Sequence, residues 1–104
     1  MQHRLSPEQA ADSLAALPGW ELRDETLCRE FLFPGFADAM IFVNQVAELA
    51  EEEDHHPEIH IAYNKVALTL TTYGAGGLTI KDLQLALRIG QLTSGHPPSE
   101  DDFS

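Results

Sequence analysis

The apolar positions of this chain switch between a helical and a strand period, and the switches divide it into seven elements. Ser6-Pro7-Glu8-Gln9 predicts a helix start, with Ser6 as N-cap, Pro7 as first helical residue and Gln9 completing a capping box. Ala10, Leu14 and Leu17 give it a short apolar face, and Pro18-Gly19 ends it. A hairpin follows over residues 20–23 and 27–33, turning at Asp24-Glu25 and placing Phe31 and Phe33 on one face. Pro34-Gly35 breaks the strand. A helix over residues 36–53 is then predicted by Phe36, Met40, Val43, Ala47 and Ala50, which recur at helical spacing. Ile41, Phe42, Val46 and Leu49 widen that apolar surface enough to touch more than one layer. Residues 58–63 and 65–73 read as two further strands joined by a turn at Asn64-Lys65. Gly74-Ala75-Gly76-Gly77 connects them to a last helix beginning at Thr79, with Asp82 as its capping partner. Leu83, Leu85, Ala86, Leu87, Ile89 and Leu92 line this helix. The order α-β-β-α-β-β-α predicts an α+β fold, an antiparallel sheet with helices packed on one face.

At 104 residues the chain suits one domain, expected over residues 1–93. Residues 94–104 carry two prolines and three consecutive acids, and are expected to be a disordered acidic tail. The apolar fraction of 43% fits a packed core. A domain this small buries only about two thirds of its unfolded surface, so spare apolar surface is expected to serve subunit contacts. Seventeen acids against six bases give a formal charge of -11. Such a chain repels phosphate, which argues against direct nucleic-acid binding and against an anionic membrane surface. Cys28 is the one cysteine, so no internal disulfide forms, and it reads as a small, partly buried residue of a strand. The start of the chain has no apolar stretch after its charges, and no run of about 20 apolar residues follows elsewhere. A cytoplasmic location is the expectation.

The candidate chemistry lies in Asp54-His55-His56-Pro57-Glu58. Histidine both gives and takes protons near neutral pH. Pro57 cannot continue a helix, so it fixes the pair at a bend. General acid–base use needs an imidazole and an orienting carboxylate, which Glu51, Asp54 or Glu58 could supply. The acids at 51–54 oppose the dipole at the end of the predicted helix. Either they mark a functional position or they lie beyond the helix in solvent. His56 and His60 have the spacing of a helical metal pair, but Pro57 and the strand after it break that geometry, and no metal site is expected. His60 is expected to point away from the face of Ile59 and Ile61. Trp20 and Phe31 read as core residues rather than as a ligand-stacking pair. The glycine run lacks the Gly-Lys-Ser/Thr ending of a phosphate loop.

These residues give the chain a family resemblance. Leu17-Pro18-Gly19-Trp20, Phe31-x-Phe33-x-x-Phe36, Glu51-x-x-x-His55-His56-Pro57-Glu58, Tyr63-Asn64-Lys65-Val66 and Leu78-Thr79-x-x-Asp82 together resemble the pterin-4a-carbinolamine dehydratases. The resemblance spans residues 5–92 and implies a four-stranded antiparallel sheet in a homodimer or homotetramer. The implied reaction is loss of water from 4a-hydroxytetrahydropterin to give quinonoid dihydropterin, with no metal or redox cofactor. By the resemblance, His55 is the acid–base residue and His56 binds and orients the pterin. Glu51 and Glu58 support the site, Pro57 fixes the bend, and Asp82 matches the family's acid at the start of the last helix. One position departs. The family's third site histidine, sometimes a tryptophan, falls at Tyr73, whose phenol donates a hydrogen bond but is a poor proton acceptor at pH 7. The resemblance also covers proteins of another kind, in which a dehydratase-like fold serves as an assembly or dimerisation factor for Rubisco or for a transcription factor.

Overall fold

A computed structural model describes residues 3–93, so the expected tail at 94–104 lies outside the described residues. The elements are α1 (Pro7–Ser13), β1 (Glu21–Arg23), β2 (Thr26–Leu32), α2 (Phe36–Glu53), β3 (Glu58–Ala62), β4 (Lys65–Leu70) and α3 (Ile80–Thr93). The four strands form one antiparallel sheet in the order β1-β2-β4-β3, with the helices packed on the sheet. This is the α+β order read from the sequence.

Local chemistry sets the boundaries. The Ser6 hydroxyl accepts the Gln9 amide at 3.1 Å, and the Gln9 side chain accepts the Ser6 amide at 2.9 Å. This reciprocal pair satisfies two amide donors that the start of a helix leaves open. α1 then tightens into a 3-10 turn at Leu14–Ala16 before Gly19, whose φ of 88° reverses the chain. The last helix is capped in the same way. The Asp82 carboxylate accepts the Thr79 amide at 2.9 Å, and the Thr79 hydroxyl accepts the Lys81 amide at 3.3 Å.

The core lies between the sheet and α2 and α3. Leu27, Phe31, Val66, Leu68 and Leu70 of the sheet meet Ala39, Phe42, Val46 and Leu49 of α2 and Leu85, Ala86 and Ile89 of α3. Phe42 stands between Phe31 and Phe33, with ring centroids 4.6 and 5.0 Å apart. Trp20 meets Phe31 edge-on at 6.3 Å, so both are core residues as expected. Burying an aromatic side chain contributes about 1.5–3 kcal/mol, which makes this cluster the main anchor of α2 on the sheet.

Four expectations are corrected. The face of α2 that packs is Ala39, Phe42, Val46, Leu49 and Ala50, whereas of the predicted series Phe36 is 51% exposed, Ala47 is exposed, and Met40 and Val43 are only half-buried. Val43 packs at the margin of the core, and α3 as well as the sheet covers the buried face of α2. The second hairpin turns at Tyr63-Asn64, because Ala62 pairs directly with Lys65. Tyr63 takes the left-handed φ of 54°, and Asn64 is held by Phe33 through both its carbonyl and its side-chain amide. β4 ends at Leu70 rather than at residue 73, since Thr72 leaves the ladder to bridge Gly77. On α3, Leu87 faces outward.

The candidate active site

α2 delivers the histidine pair. Its last carbonyls are closed by Asp54, which adopts the left-handed conformation (φ 53°, ψ 44°) and donates its amide back to Ala50 and Glu51. The His55 amide also reaches Ala50 at 3.0 Å. The chain therefore reverses at Asp54, before Pro57, and the proline directs it onward into β3.

The reversal points the two imidazoles at different carboxylates. His55 Nε2 lies 2.5 Å from Asp82 Oδ1, and its side chain is only 11% exposed. His56 Nε2 lies 2.6 Å from Glu51 Oε2 at the surface, 57% exposed. Asp82 is fully buried. Its other oxygen, Oδ2, accepts the Thr72 hydroxyl at 2.7 Å and the Thr79 amide at 2.9 Å. An unpaired buried carboxylate is costly, and these donors together with the imidazole offset that cost. With Nε2 committed to Asp82, Nδ1 is the ring nitrogen left for a ligand.

Tyr73 stands apart from this buried pair. It is 73% exposed and donates its hydroxyl to the Glu58 carboxylate at the start of β3. The hydrogen bond to Glu58, and then the charge of Glu58, hold the Tyr73 phenol above its ordinary value of 10.0. Of the predicted site residues, then, His55 and Asp82 meet, His56 and Glu51 meet, and Glu58 and Tyr73 meet. Glu51, rather than Asp54 or Glu58, is the carboxylate that contacts His56.

Of the acids at the end of α2, Glu51 contacts His56, and the next two are answered from across the fold. Residues 51–53 lie inside the helix, and Glu52 and Glu53 pair with Arg88 of α3 at 2.8 and 2.7 Å. The cation that answers the unfavourable dipole comes from another helix. His60 is exposed on the sheet face opposite Ile59, and no group of three or more metal-binding side chains occurs among the described residues. Thr72 was not legible as part of the site, because only the tertiary fold brings it to Asp82. Two cavities, of about 310 Å³ over Glu21, Cys28 and Thr69 and about 110 Å³ beside Leu5 and Leu78, are lined by neither histidine.

A small α+β domain with a buried imidazole–carboxylate pair at the end of its long helix defines the class. Residues 3–92 match the family model described as pterin 4 alpha carbinolamine dehydratase, and the chain belongs to that family. It is 50% identical over 91 residues to a Thermomicrobium roseum protein with the provisional name pterin-4-alpha-carbinolamine dehydratase, covering 88% of this chain and 98% of that one. A protein of the same provisional name from a Picosynechococcus species is 46% identical, over 88% of this chain and 100% of its own. Among solved structures, one described as a transcriptional coactivator/pterin dehydratase from Brucella melitensis superposes with a TM-score of 0.83 at 38% identity, covering 86% of this chain and 98% of that chain. A pterin dehydratase-like protein identified as a RuBisCO assembly factor in the alpha-carboxysome shares the fold, with a TM-score of 0.63 at 24% identity over 76% of this chain and 94% of its own.

Proposed function

We propose that this protein removes water from a 4a-hydroxytetrahydropterin to give the quinonoid dihydropterin, with His55 as the acid–base residue. The observation that carries this reading is the imidazole of His55 set 2.5 Å from the fully buried carboxylate of Asp82. A histidine serving only to close a loop has no need of a buried, triply hydrogen-bonded anion behind it. Family membership supplies the reaction class.

The chemistry suits one imidazole that both gives and takes. The C4a–O bond breaks, and the hydroxyl leaves as water after gaining a proton. A ring N–H loses its proton, and the electron pair left on nitrogen forms the C=N bond. Protons balance over the cycle. Near neutral pH an imidazole contributes about 10²–10⁴-fold to such a step. His56, tied to Glu51, binds and orients the pterin, while Pro57 directs the chain into β3 and Glu58 supports the site by holding Tyr73. Tyr73 is kept protonated by Glu58, which takes its one proton, so it assists as a hydrogen-bond donor where the pterin displaces Glu58 as acceptor. The exposed apolar side chains of Phe36 and Ile41 on α2 support a homodimer or homotetramer.

A second reading is favoured by Tyr73, a phenol where the family resemblance places a third histidine. On that reading the protein is a non-catalytic assembly or dimerisation factor. The discriminating experiment is 4a-hydroxypterin dehydration by purified wild type, His55→Ala and Tyr73→His. The first reading expects acceleration by wild type, a loss of about 10²-fold or more in His55→Ala, and a several-fold gain in Tyr73→His. No acceleration by wild type would overturn the first and is what the second predicts.

A further inference from the structure

We propose that Thr72 is a positioning residue that selects the tautomer of His55, because its buried hydroxyl completes a one-way chain of hydrogen bonds ending on the carboxylate that holds the imidazole. The inference rests on the reading of His55 as the acid–base residue for its kinetic consequence, while its spectroscopic consequence stands without turnover.

The direction of the chain follows from proton counting. The Lys81 backbone amide lies 3.3 Å from Thr79 Oγ1, and an amide can only donate. Thr79 Oγ1 lies 2.9 Å from Thr72 Oγ1, and Thr72 Oγ1 lies 2.7 Å from Asp82 Oδ2. An ionised carboxylate can only accept, so the single proton of Thr72 goes to Asp82. The contact between the two hydroxyls must then use the proton of Thr79. Every bond therefore runs from Lys81 through Thr79 and Thr72 to Asp82.

The end of the chain decides the state of His55. Asp82 Oδ2 is engaged by two donors, the Thr72 hydroxyl and the Thr79 amide at 2.9 Å. Oδ1 faces His55 alone at 2.5 Å and is also an acceptor. Nε2 must therefore carry the proton, and Nδ1 presents its lone pair outward. The backbone of Thr72 is fixed as well, by paired bonds with Gly77 at 3.0 and 3.3 Å. Removing the hydroxyl takes away one of the two donors that orient Oδ2. Only the Thr79 amide then holds Oδ2, so the carboxylate is less firmly oriented and His55 faces a less fixed acceptor for Nε2–H. Valine is close in shape to threonine, so the change deletes the donor with little change of volume.

The test reads the ring nitrogens of His55 in ¹⁵N-labelled protein, with neutral imidazole, for wild type, Thr72→Val and Thr72→Ser. Wild type is expected to show the Nε2–H tautomer. Thr72→Val is expected to lower its share and to reduce kcat about tenfold, with KM within about twofold, the order of one lost bond to a buried carboxylate. Thr72→Ser keeps the hydroxyl and is expected to restore both. An Nδ1–H tautomer in wild type overturns the proposal, and so does a folded Thr72→Val with wild-type tautomer and kcat. If Thr72→Val does not fold, Thr72→Ala, read in the same two ways, takes its place. Absence of turnover in wild type counts against the dehydration reading, whereas the tautomer alone decides the role of Thr72.

Discussion

Replacing Asp82 by asparagine separates the structural from the chemical work of this carboxylate. Asparagine has the same shape, and its one oxygen can take over the contacts that Oδ2 makes to the Thr72 hydroxyl at 2.7 Å and the Thr79 amide at 2.9 Å. The cap of α3 is thereby kept. The side-chain NH₂ then faces His55 Nε2 at 2.5 Å, where a donor meets a donor. His55 must move its proton to Nδ1 to accept from the amide, which leaves the outward nitrogen without a lone pair. The folded state exchanges charge-assisted hydrogen bonds for neutral ones, a loss of about 1–2 kcal/mol. For a domain of this size that lowers the midpoint of thermal unfolding by roughly 5–15 °C. A native stability of about 5–15 kcal/mol leaves such a variant folded at assay temperature. The rate of 4a-hydroxypterin dehydration is nonetheless expected to fall about 10²–10⁴-fold, the full contribution of the acid–base group. Thermal unfolding followed by circular dichroism and a dehydration assay on the same preparation measure both quantities. A folded Asp82→Asn variant within threefold of the wild-type rate, counted as roughly equal on this scale, would refute the reasoning.

Phe31→Ala removes the ring that contacts both Trp20 and Phe42 and is expected to cost about 3–5 kcal/mol in urea unfolding; an unchanged midpoint would remove Phe31 from the core. Glu58→Gln, made in a Tyr63→Phe background so that one phenol is followed, should bring the titration of Tyr73 down toward its ordinary value of 10.0. Because the folded phenol titrates above that value, the Tyr73–Glu58 pair favours the folded state below pH 10.0 and loses this effect as the pH climbs through the raised value. Near-ultraviolet absorbance of the phenolate reads the shift, and an unmoved titration would mean that Glu58 does not hold Tyr73. Arg88→Ala should destabilise the end of α2 by leaving Glu52 and Glu53 unanswered, and the difference from wild type should shrink as salt is added; a salt-independent difference would point to packing instead.

How much of this was legible in the sequence depended on whether the cause was local. The capping pairs Ser6–Gln9 and Thr79–Asp82 were readable, because each is set by residues three apart. The extent of α2 and the presence of two hairpins followed from periodicity and from Pro34-Gly35. The packed face of α2 did not follow in full, since apolar residues occupy more than half of its circumference and only packing against β4 and α3 chooses among them. The turn at Tyr63-Asn64 was misplaced by one residue, because a tyrosine at positive φ goes against local preference and is held by Asn64 bonding to Phe33 across the fold. In the site, His55 and His56 stood out by type and neighbourhood, but their partners did not. Asp82 lies 27 residues from His55, and Arg88 lies 35 residues from Glu53. Thr72 looked like one more position of a strand until the chain left the ladder there.

The central claim is that His55 exchanges protons with a bound pterin through Nδ1. The most direct measurement is the crystal structure of the protein with a stable analogue of the hydroxylated pterin. The account predicts the ring nitrogen or the 4a oxygen within about 2.6–3.2 Å of His55 Nδ1, with Nε2 still on Asp82. A pterin seated elsewhere, such as the groove over Glu21 and Cys28, with Nδ1 facing bulk solvent, would contradict it.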